Sequence, residues 1–308
     1  MNLSRQVLVL GKKANDLLKK KTVAIIGLGA LGAVALELLV RSGIQSFIVI
    51  DRDIIEASNL QRQIIYTSKD VGKPKATIAK RYAQSINPQV KIQSYYQDLN
   101  RTTSDLITAD LMLDCTDNLQ TRFLINEIAK KKNIPWIHAS AIGEEGFVYV
   151  ITKDKPCLEC ILQSKKTSET CQVTGVLNTI TTMIATVQVS QAMKILTNQT
   201  TLSELLYINL NNNDFIKIKV TKLKNCHACK NQFDYPTSNL TTLCGANKFK
   251  MTGNFDFQKV RKNLIKLGAK DYKTAIIFKD MTVFQGCVMI QADSQKKANT
   301  LYSKYIGN

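Results

Sequence analysis

Four cysteines stand as two pairs, Cys157-x-x-Cys160 and Cys226-x-x-Cys229, downstream of a glycine triplet, Gly27-Leu-Gly29-Ala-Leu-Gly32. At this spacing each turn offers two sulfurs to one tetrahedral Zn²⁺. Four thiolates leave the ion no open position, so the expected site is structural. A dithiol redox pair is the competing reading. His227 lies inside the second pair and could replace a sulfur, although four cysteines already suffice.

The glycines suit a different task. Between a strand and a helix they let the backbone turn tightly and approach a phosphate chain, whose charge the helix N-terminus stabilises. Asp51 ends the next apolar run, where a carboxylate can accept from a ribose hydroxyl or simply cap a turn. This half-site fits NAD as well as ATP. The residues after it lean towards ATP: Asp51-Arg-Asp53, Ser58-Asn59-Leu-Gln-Arg62-Gln63 and Val71-Gly-Lys73-Pro-Lys75 bring cations and amide donors to the same region. Hydride transfer does not need them. A carboxylate attacking an α-phosphate does, because two anions must meet and pyrophosphate must leave. Arg62 and Lys75 can supply that charge; ordinary surface cations are the alternative. Cys115-Thr-Asp117-Asn118 comes after another apolar run, and Asp117 there can hold Mg²⁺ or cap the next helix.

The elements that must position these groups alternate. Thr22–Ile26, Phe47–Ile50, Lys91–Tyr96, Asp110–Cys115 and Trp136–His138 read as strands, with helices over Ala30–Arg41, Ile78–Ile86 and Arg122–Lys132 between them. That order predicts an α/β, Rossmann-like, doubly wound and mainly parallel sheet. Ser4–Lys20 reads as one helix, and Thr179–Leu196 as a long amphipathic one flanked by strands at Phe147–Thr152, Leu205–Asn209 and Phe215–Val220. The expected organisation is one large domain over 1–236, a polar linker over 237–247 and a small α/β unit over 248–308, with Met281–Gln291 as a single strand.

At 308 residues and 44% hydrophobic composition the chain can bury a real core. No secretion signal or long apolar span opens it, so a cytoplasmic location without membrane or disulfide framework is expected. The net charge of +18 is spread along the chain without interleaved aromatics. It reads as a solvated basic surface or one facing an acidic protein, and not as a nucleic-acid platform.

With these blocks assembled in order (Ser4-Arg5-Gln6, GLGALG, DRDIIEASNLQRQ, VGKPKA, CTDN, CLEC, TCQVTGVL and CHAC), the chain resembles the ThiF/MoeB family, relatives of ubiquitin-activating enzymes. Its tail resembles that of Bacillus-type members. The resemblance implies ATP- and Mg²⁺-dependent adenylation of the C-terminal Gly-Gly carboxylate of a ubiquitin-like sulfur carrier of ThiS or MoaD type. Thiocarboxylate formation would come next, with a sulfur donor such as a cysteine desulfurase. By the same carry-over Gly29 meets phosphate, Asp51 the ribose, Asn59, Arg62 and Lys75 the polyphosphate, and Asp117 the metal. Gly27, Gly32, Asp53, Gln63 and Asn118 complete the expected nucleotide site. Arg5 would reach the ATP of a neighbouring subunit, which implies a homodimer. Cys171 would carry a covalent intermediate in some members. Competing readings are an NAD-dependent dehydrogenase, a non-catalytic binding module for a ubiquitin-like fold and, within the family, a peptide-modifying adenylyltransferase.

Overall fold

The computed structural model describes residues 1–101, 103–162, 175–233, 240–242, 248–253, 255–272 and 275–307. The chain forms two compact units, Met1–Tyr235 and Pro236–Asn308.

In the first unit β1 (Thr22–Ile26), β2 (Ser46–Asp51), β3 (Lys91–Tyr96), β4 (Leu111–Asp114), β5 (Trp136–Ile142), β6 (Glu145–Ile151), β7 (Leu205–Asn209) and β8 (Asp214–Ile218) make one sheet. Its order is β3-β2-β1-β4-β5-β6-β7-β8. The first five pair in parallel and the last three antiparallel. The reason is in the sequence. Strands β1, β2 and β4 are continuous apolar runs buried on both faces, as a helix-covered parallel sheet requires, whereas β8 is an exposed edge.

Successive strand residues face opposite sides. Ala24, Ile26, Ile48, Ile50, Met112 and Trp136 join Phe123 and Ile125 of α5 (Leu119–Lys132), Leu158 of the short α6 (Leu158–Ile161) and three of the paired cysteines in one apolar cluster. Helices α3 (Ala30–Arg41), α4 (Lys75–Ile86) and α7 (Asn178–Leu196) form a second packed layer against the sheet. Among the described residues no helix is long and apolar enough to cross a membrane.

The expected single helix over Ser4–Lys20 is broken. Gly11 takes φ 78° and ψ 158°, which separates α1 (Ser4–Leu10) from α2 (Lys12–Lys20). Gln6 then ties α1 down by donating to Asn15 Oδ1 at 2.8 Å and to the Ser42 carbonyl at 2.9 Å.

The second unit is an antiparallel sheet of order β11-β12-β13-β14-β10-β9 with two helices, α8 (Phe257–Lys266) and α9 (Gln295–Tyr305). Its strands are β9 (Leu240–Thr242), β10 (Lys248–Thr252), β11 (Lys270–Asp271), β12 (Ala275–Phe278), β13 (Met281–Phe284) and β14 (Cys287–Gln291). Two expectations differ here. Leu240–Thr242, inside the stretch expected as linker, pairs with Phe249–Met251. Met281–Gln291 is not one strand but a hairpin, turned at Gly286 with φ 79°. Asp256 and Ser294 cap α8 and α9 with their side-chain oxygens. Phe257, Val260 and Leu264 pack on Ile276, Val283 and Ile290.

Close packing of α7 on the antiparallel strands is testable at Gly146. A Cβ there would run into the Ile184 side chain and come within 2.9 Å of the Ser140 carbonyl oxygen. Gly146→Ala is therefore expected to lower stability by about 1–3 kcal/mol, read as the midpoint of urea unfolding. An unchanged midpoint would refute the close approach of α7.

Candidate active site

Three parallel strands end side by side. In register Ile26 lies level with Ile50 on one side and Asp114 on the other, so the carboxyl ends of β1, β2 and β4 meet at one sheet edge. The chain runs outward from β1 in both directions, so this edge is the switch point where ligands bind in open α/β sheets.

The glycines at the end of β1 have separate tasks. Gly27 has φ 90°, and a Cβ on it would sit 2.6 Å from the Cys115 carbonyl oxygen. A Cβ on Gly32, in the first turn of α3, would collide with the Gly27 carbonyl. These two glycines let the turn pack on the end of β4. Gly29 is different: its Cβ position is open, with only Gln63 Nε2 at 3.8 Å. A side chain there would intrude on space beside the helix N-terminus, where an anion is favoured. Gln63 itself is 4% exposed, and its Oε1 has no hydrogen-bond partner. Its Nε2 is the atom nearest the Gly29 Cβ position, so the side chain presents its N–H donors to that space as it stands.

Asp51 and Tyr66 hold the turn in place. Asp51 Oδ2 accepts from Leu28 N–H at 2.6 Å, Oδ1 accepts from Asp53 N–H at 2.7 Å, and the Tyr66 hydroxyl donates to the Leu28 carbonyl at 2.9 Å. Burial pushes the Asp51 carboxyl up to about 6 against the pull of Lys75, so it is still ionised at neutral pH. Asp51 therefore shapes the loop that a nucleotide would meet.

Lys75 begins α4. An antiparallel bridge between Ile54 and Pro74, and a bond from Lys75 N–H to the Asp53 carbonyl at 3.0 Å, fold the Val71–Lys75 turn back on the end of β2. The ammonium is 5% exposed and stands 3.4 Å from Asp53 Oδ2. Burial opposes its charge, but Asp53, Asp51 and Asp117 outweigh burial and raise its pKa. Arg52 is held similarly: burial again opposes, and Asp98 at 3.1 Å, Asp53, Asp117 and Asp51 prevail. Asn59 is buried, and its Oδ1 closes the turn by accepting from Glu56 N–H at 3.1 Å. Arg62 comes next on the same turn. Its guanidinium returns to the Ser58 carbonyl at 3.0 Å, and among the described residues it pairs with no carboxylate.

At the end of β4 the alternative role of Asp117 is settled. Asn118, not Asp117, caps α5, its Oδ1 accepting from Thr121 N–H at 2.9 Å. Asp117 is exposed and free of capping, and its charge is felt at Lys75 and Arg52. Beneath it lies a buried network. Asp114 Oδ1 accepts from the Thr116 N–H and hydroxyl at 3.0 and 2.7 Å, and its Oδ2 meets His138 Nδ1 at 2.7 Å. Burial pulls the His138 pKa down. Gln188, on α7, donates to the Asp114 and Ile137 carbonyls at 2.9 and 3.0 Å.

The four paired cysteines converge. Their sulfurs lie within 4.8 Å of one another, with separations such as 3.4 Å for Cys157–Cys226, 3.7 Å for Cys160–Cys229 and 4.0 Å for Cys157–Cys160. A tetrahedral Zn²⁺ with Zn–S bonds of about 2.3 Å needs sulfur separations near 3.8 Å. Disulfides need about 2.05 Å. Burial pushes the Cys157 thiol up to about 11, so its thiolate is disfavoured there unless a cation offsets the charge. The cluster can hold zinc, and no sulfur is left to serve an open position. His227 stands beside this set and is not needed to complete it.

Of the expected site residues, the structure brings Gly27, Gly29, Gly32, Asp51, Asp53, Gln63 and Lys75 together, with Asn59 and Arg62 on the adjoining turn and Asp117 and Asn118 on the facing loop. Arg5 is on α1, exposed, and no crevice side chain among the described residues bonds to it. Cys171 lies outside the described residues. Sequence reasoning missed Arg52, Tyr66, Asp98, Asp114, Arg122 and Gln188. Only Arg52 carried a signal, its place between two aspartates of the motif.

A model of the ThiF family matches residues 3–231. The chain belongs to the ThiF family. It is 31% identical to the sulfur carrier protein ThiS adenylyltransferase of Bacillus subtilis (strain 168) across 99% of this chain and 98% of that relative. Its identity to the Escherichia coli (strain K12) protein of the same name is 31%, across 74% of this chain and 94% of the relative. Among solved structures, E. coli MccB with MccA-N7isoASN has a TM-score of 0.66 over 74% of each chain at 20% identity, which shows a shared fold.

Two outcomes are expected of this ThiF-family site. Metal analysis should find about one Zn²⁺ per chain, lost together with thermal stability in Cys157→Ser; full stability without metal would reject the structural role. Gly29 has φ −75°, outside the left-handed range, and its Cβ position meets no closer neighbour than Gln63 Nε2 at 3.8 Å. Gly29→Ala should leave the unfolding free energy within about 0.5 kcal/mol yet weaken ATP binding at least about tenfold, roughly 1.4 kcal/mol, as read by calorimetry. Equal ATP affinity would mean that phosphates lie elsewhere.

Proposed function

We propose that this chain adenylates the C-terminal carboxylate of a ubiquitin-like sulfur carrier ending in Gly-Gly, with ATP as the nucleotide donor. The carboxylate oxygen bonds to the α-phosphorus, the bond to the bridging oxygen breaks, and pyrophosphate leaves with that electron pair. No general base is required, because a C-terminal carboxyl with an ordinary pKa near 3.5 is already ionised. The demand is electrostatic. Two anions must be brought together, so cations fixed in advance lower the barrier.

What supports this reading is a buried, charged Lys75 that feels Asp53, Asp51 and a non-capping Asp117 at the strand ends where the Gly29 space opens, with Arg62 on the adjoining turn and, among the described residues, paired with no carboxylate. In this reading Lys75 and Arg62 neutralise the polyphosphate, Gln63 and Asn59 orient it, and Asp51 holds the glycine turn against the ribose. Asp117 is the residue to hold Mg²⁺, which when bound supplies further positive charge on the phosphates. Arg5 of a second copy would complete the site in a homodimer, and Cys171 would take up the activated carrier before a donor such as a cysteine desulfurase delivers sulfur.

A ThiS-type carrier is favoured over a MoaD-type one by the Bacillus relative, whose likeness runs through the second unit as well as the first. A dehydrogenase reading leaves Lys75, Arg62 and Asp117 without a task.

The test is ATP–pyrophosphate exchange with the full chain. Exchange should depend on a Gly-Gly-ended carrier and fall about 10²–10³-fold in each of Arg62→Ala, Lys75→Ala and Asp117→Ala. Carrier binding without any exchange would favour a non-catalytic module, and exchange that survives all three substitutions would remove the assigned roles.

A further inference from the structure

Arg122 sits one turn beyond the N-cap of α5, and its side chain is 13% exposed. Its Nη2 donates to the Thr116 carbonyl at 2.7 Å, while its Nε stands 3.7 Å from Oδ2 of Asp114, a residue with no exposure at all. Asp114 grips the other side of Thr116 by accepting from its N–H and its hydroxyl. The Thr116 residue is thus held at both ends of its backbone. Its carbonyl belongs to the same peptide plane as the Asp117 nitrogen and Cα, so fixing that oxygen fixes where the Asp117 Cα sits; Asn118, pinned on the other side by its cap on α5, limits the remaining rotation that directs the Cα–Cβ bond. The Asp117 side chain itself caps nothing and is exposed.

We propose that Arg122 is a positioning residue: through the Thr116–Asp117 peptide it aims the Asp117 carboxylate at a divalent cation on the nucleotide phosphates. The inference rests on the reading of Asp117 as the metal-holding residue. Arg122 does not reach the reacting atoms, since its guanidinium is committed to a carbonyl and a buried carboxylate. Nη2 makes the hydrogen bond to Thr116, while Nε, which has no hydrogen-bond partner of its own, faces the Asp114 carboxylate as an ion pair. A guanidinium spreads its charge across both places at once, which the single ammonium of a lysine cannot do. The arrangement has the logic of outer-shell groups around metals, whose loss typically weakens metal affinity by about 10–100-fold without touching the ion.

The probe is Mn²⁺, titrated by its electron paramagnetic resonance signal into the full chain with a non-hydrolysable ATP analogue. Arg122→Lys keeps a cation beside Asp114 but gives up the guanidinium. It should weaken Mn²⁺ binding about tenfold while ATP binding in EDTA stays within about twofold. Asp117→Asn should weaken Mn²⁺ at least as much, and adding Arg122→Lys to it should cost nothing further, because both act through one carboxylate. Asp114→Asn leaves Thr116 an acceptor but removes the charge that holds the guanidinium. It is the second variant, expected to shift Mn²⁺ in the same direction, and it decides the matter if Arg122→Lys does not fold. Unchanged Mn²⁺ affinity in a folded variant, an Arg122→Lys effect that persists in the Asp117→Asn background, or a parallel loss of metal-free ATP binding would each overturn the proposal. Carrier-dependent exchange in the wild-type chain is scored separately: its absence sinks the proposed activity, while the Mn²⁺ titrations still decide the role of Arg122.

Discussion

A lysine ammonium that is 5% exposed would ordinarily shed its proton or stay in water. Lys75 does neither, because Asp53 lies at 3.4 Å and Asp51 and Asp117 are close enough to raise its pKa. Desolvating an ion costs several kcal/mol. Each opposite charge near 4 Å returns on the order of 4 kcal/mol at an effective dielectric of 20. Together the carboxylates keep the cation charged where water would otherwise be needed. The rest of the crevice depends on that balance. Asp51 and Asp53 lie at the end of β2 and Asp117 just past β4, so β2 and β4 must finish level with β1, and the β1 turn must be glycine to pack between them. The cations of this crevice are thus held in place by acids, which leave them organised and shared.

Much of this was legible from local pattern. Continuous apolar runs gave the strands, because a strand covered by helices on both faces has no polar positions to show. The glycine triplet gave the turn, and the cysteine pairs gave the cluster. What stayed hidden was held by contacts distant in sequence. Tyr66 reaches Leu28 and Gln188 reaches Asp114 across long separations, and neither residue sits in a motif or a periodic pattern that marks it. Two local signals were ambiguous. Asp117 and Asn118 can both cap a helix, and backbone geometry chose Asn118. Gly11 could have been tolerated inside a helix, but took a positive φ and ended it. Gly286 likewise divided one apparent strand into a hairpin.

Helix α5 joins the loop that carries Asp117 to the four-cysteine cluster. Asn118, Arg122 and Asn126 recur at every fourth position, so they share one helix face. At one end Asn118 and Arg122 hold the loop that carries Asp117. At the other, Asn126 Oδ1 accepts from Leu158 N–H at 3.0 Å inside the first cysteine turn. Glu159 in that turn accepts from Ala228 N–H at 3.1 Å in the second, so the two turns are joined by protein bonds as well as by any ion between their sulfurs. A tetrathiolate cluster far along the sequence from the glycine turn is therefore mechanically part of the active-site frame. It anchors the far end of the helix whose near end holds the Thr116–Asn118 loop. The cluster needs no open coordination position for that task, which is why a closed four-sulfur site and an electrostatic phosphate site can belong to one fold without sharing any chemistry.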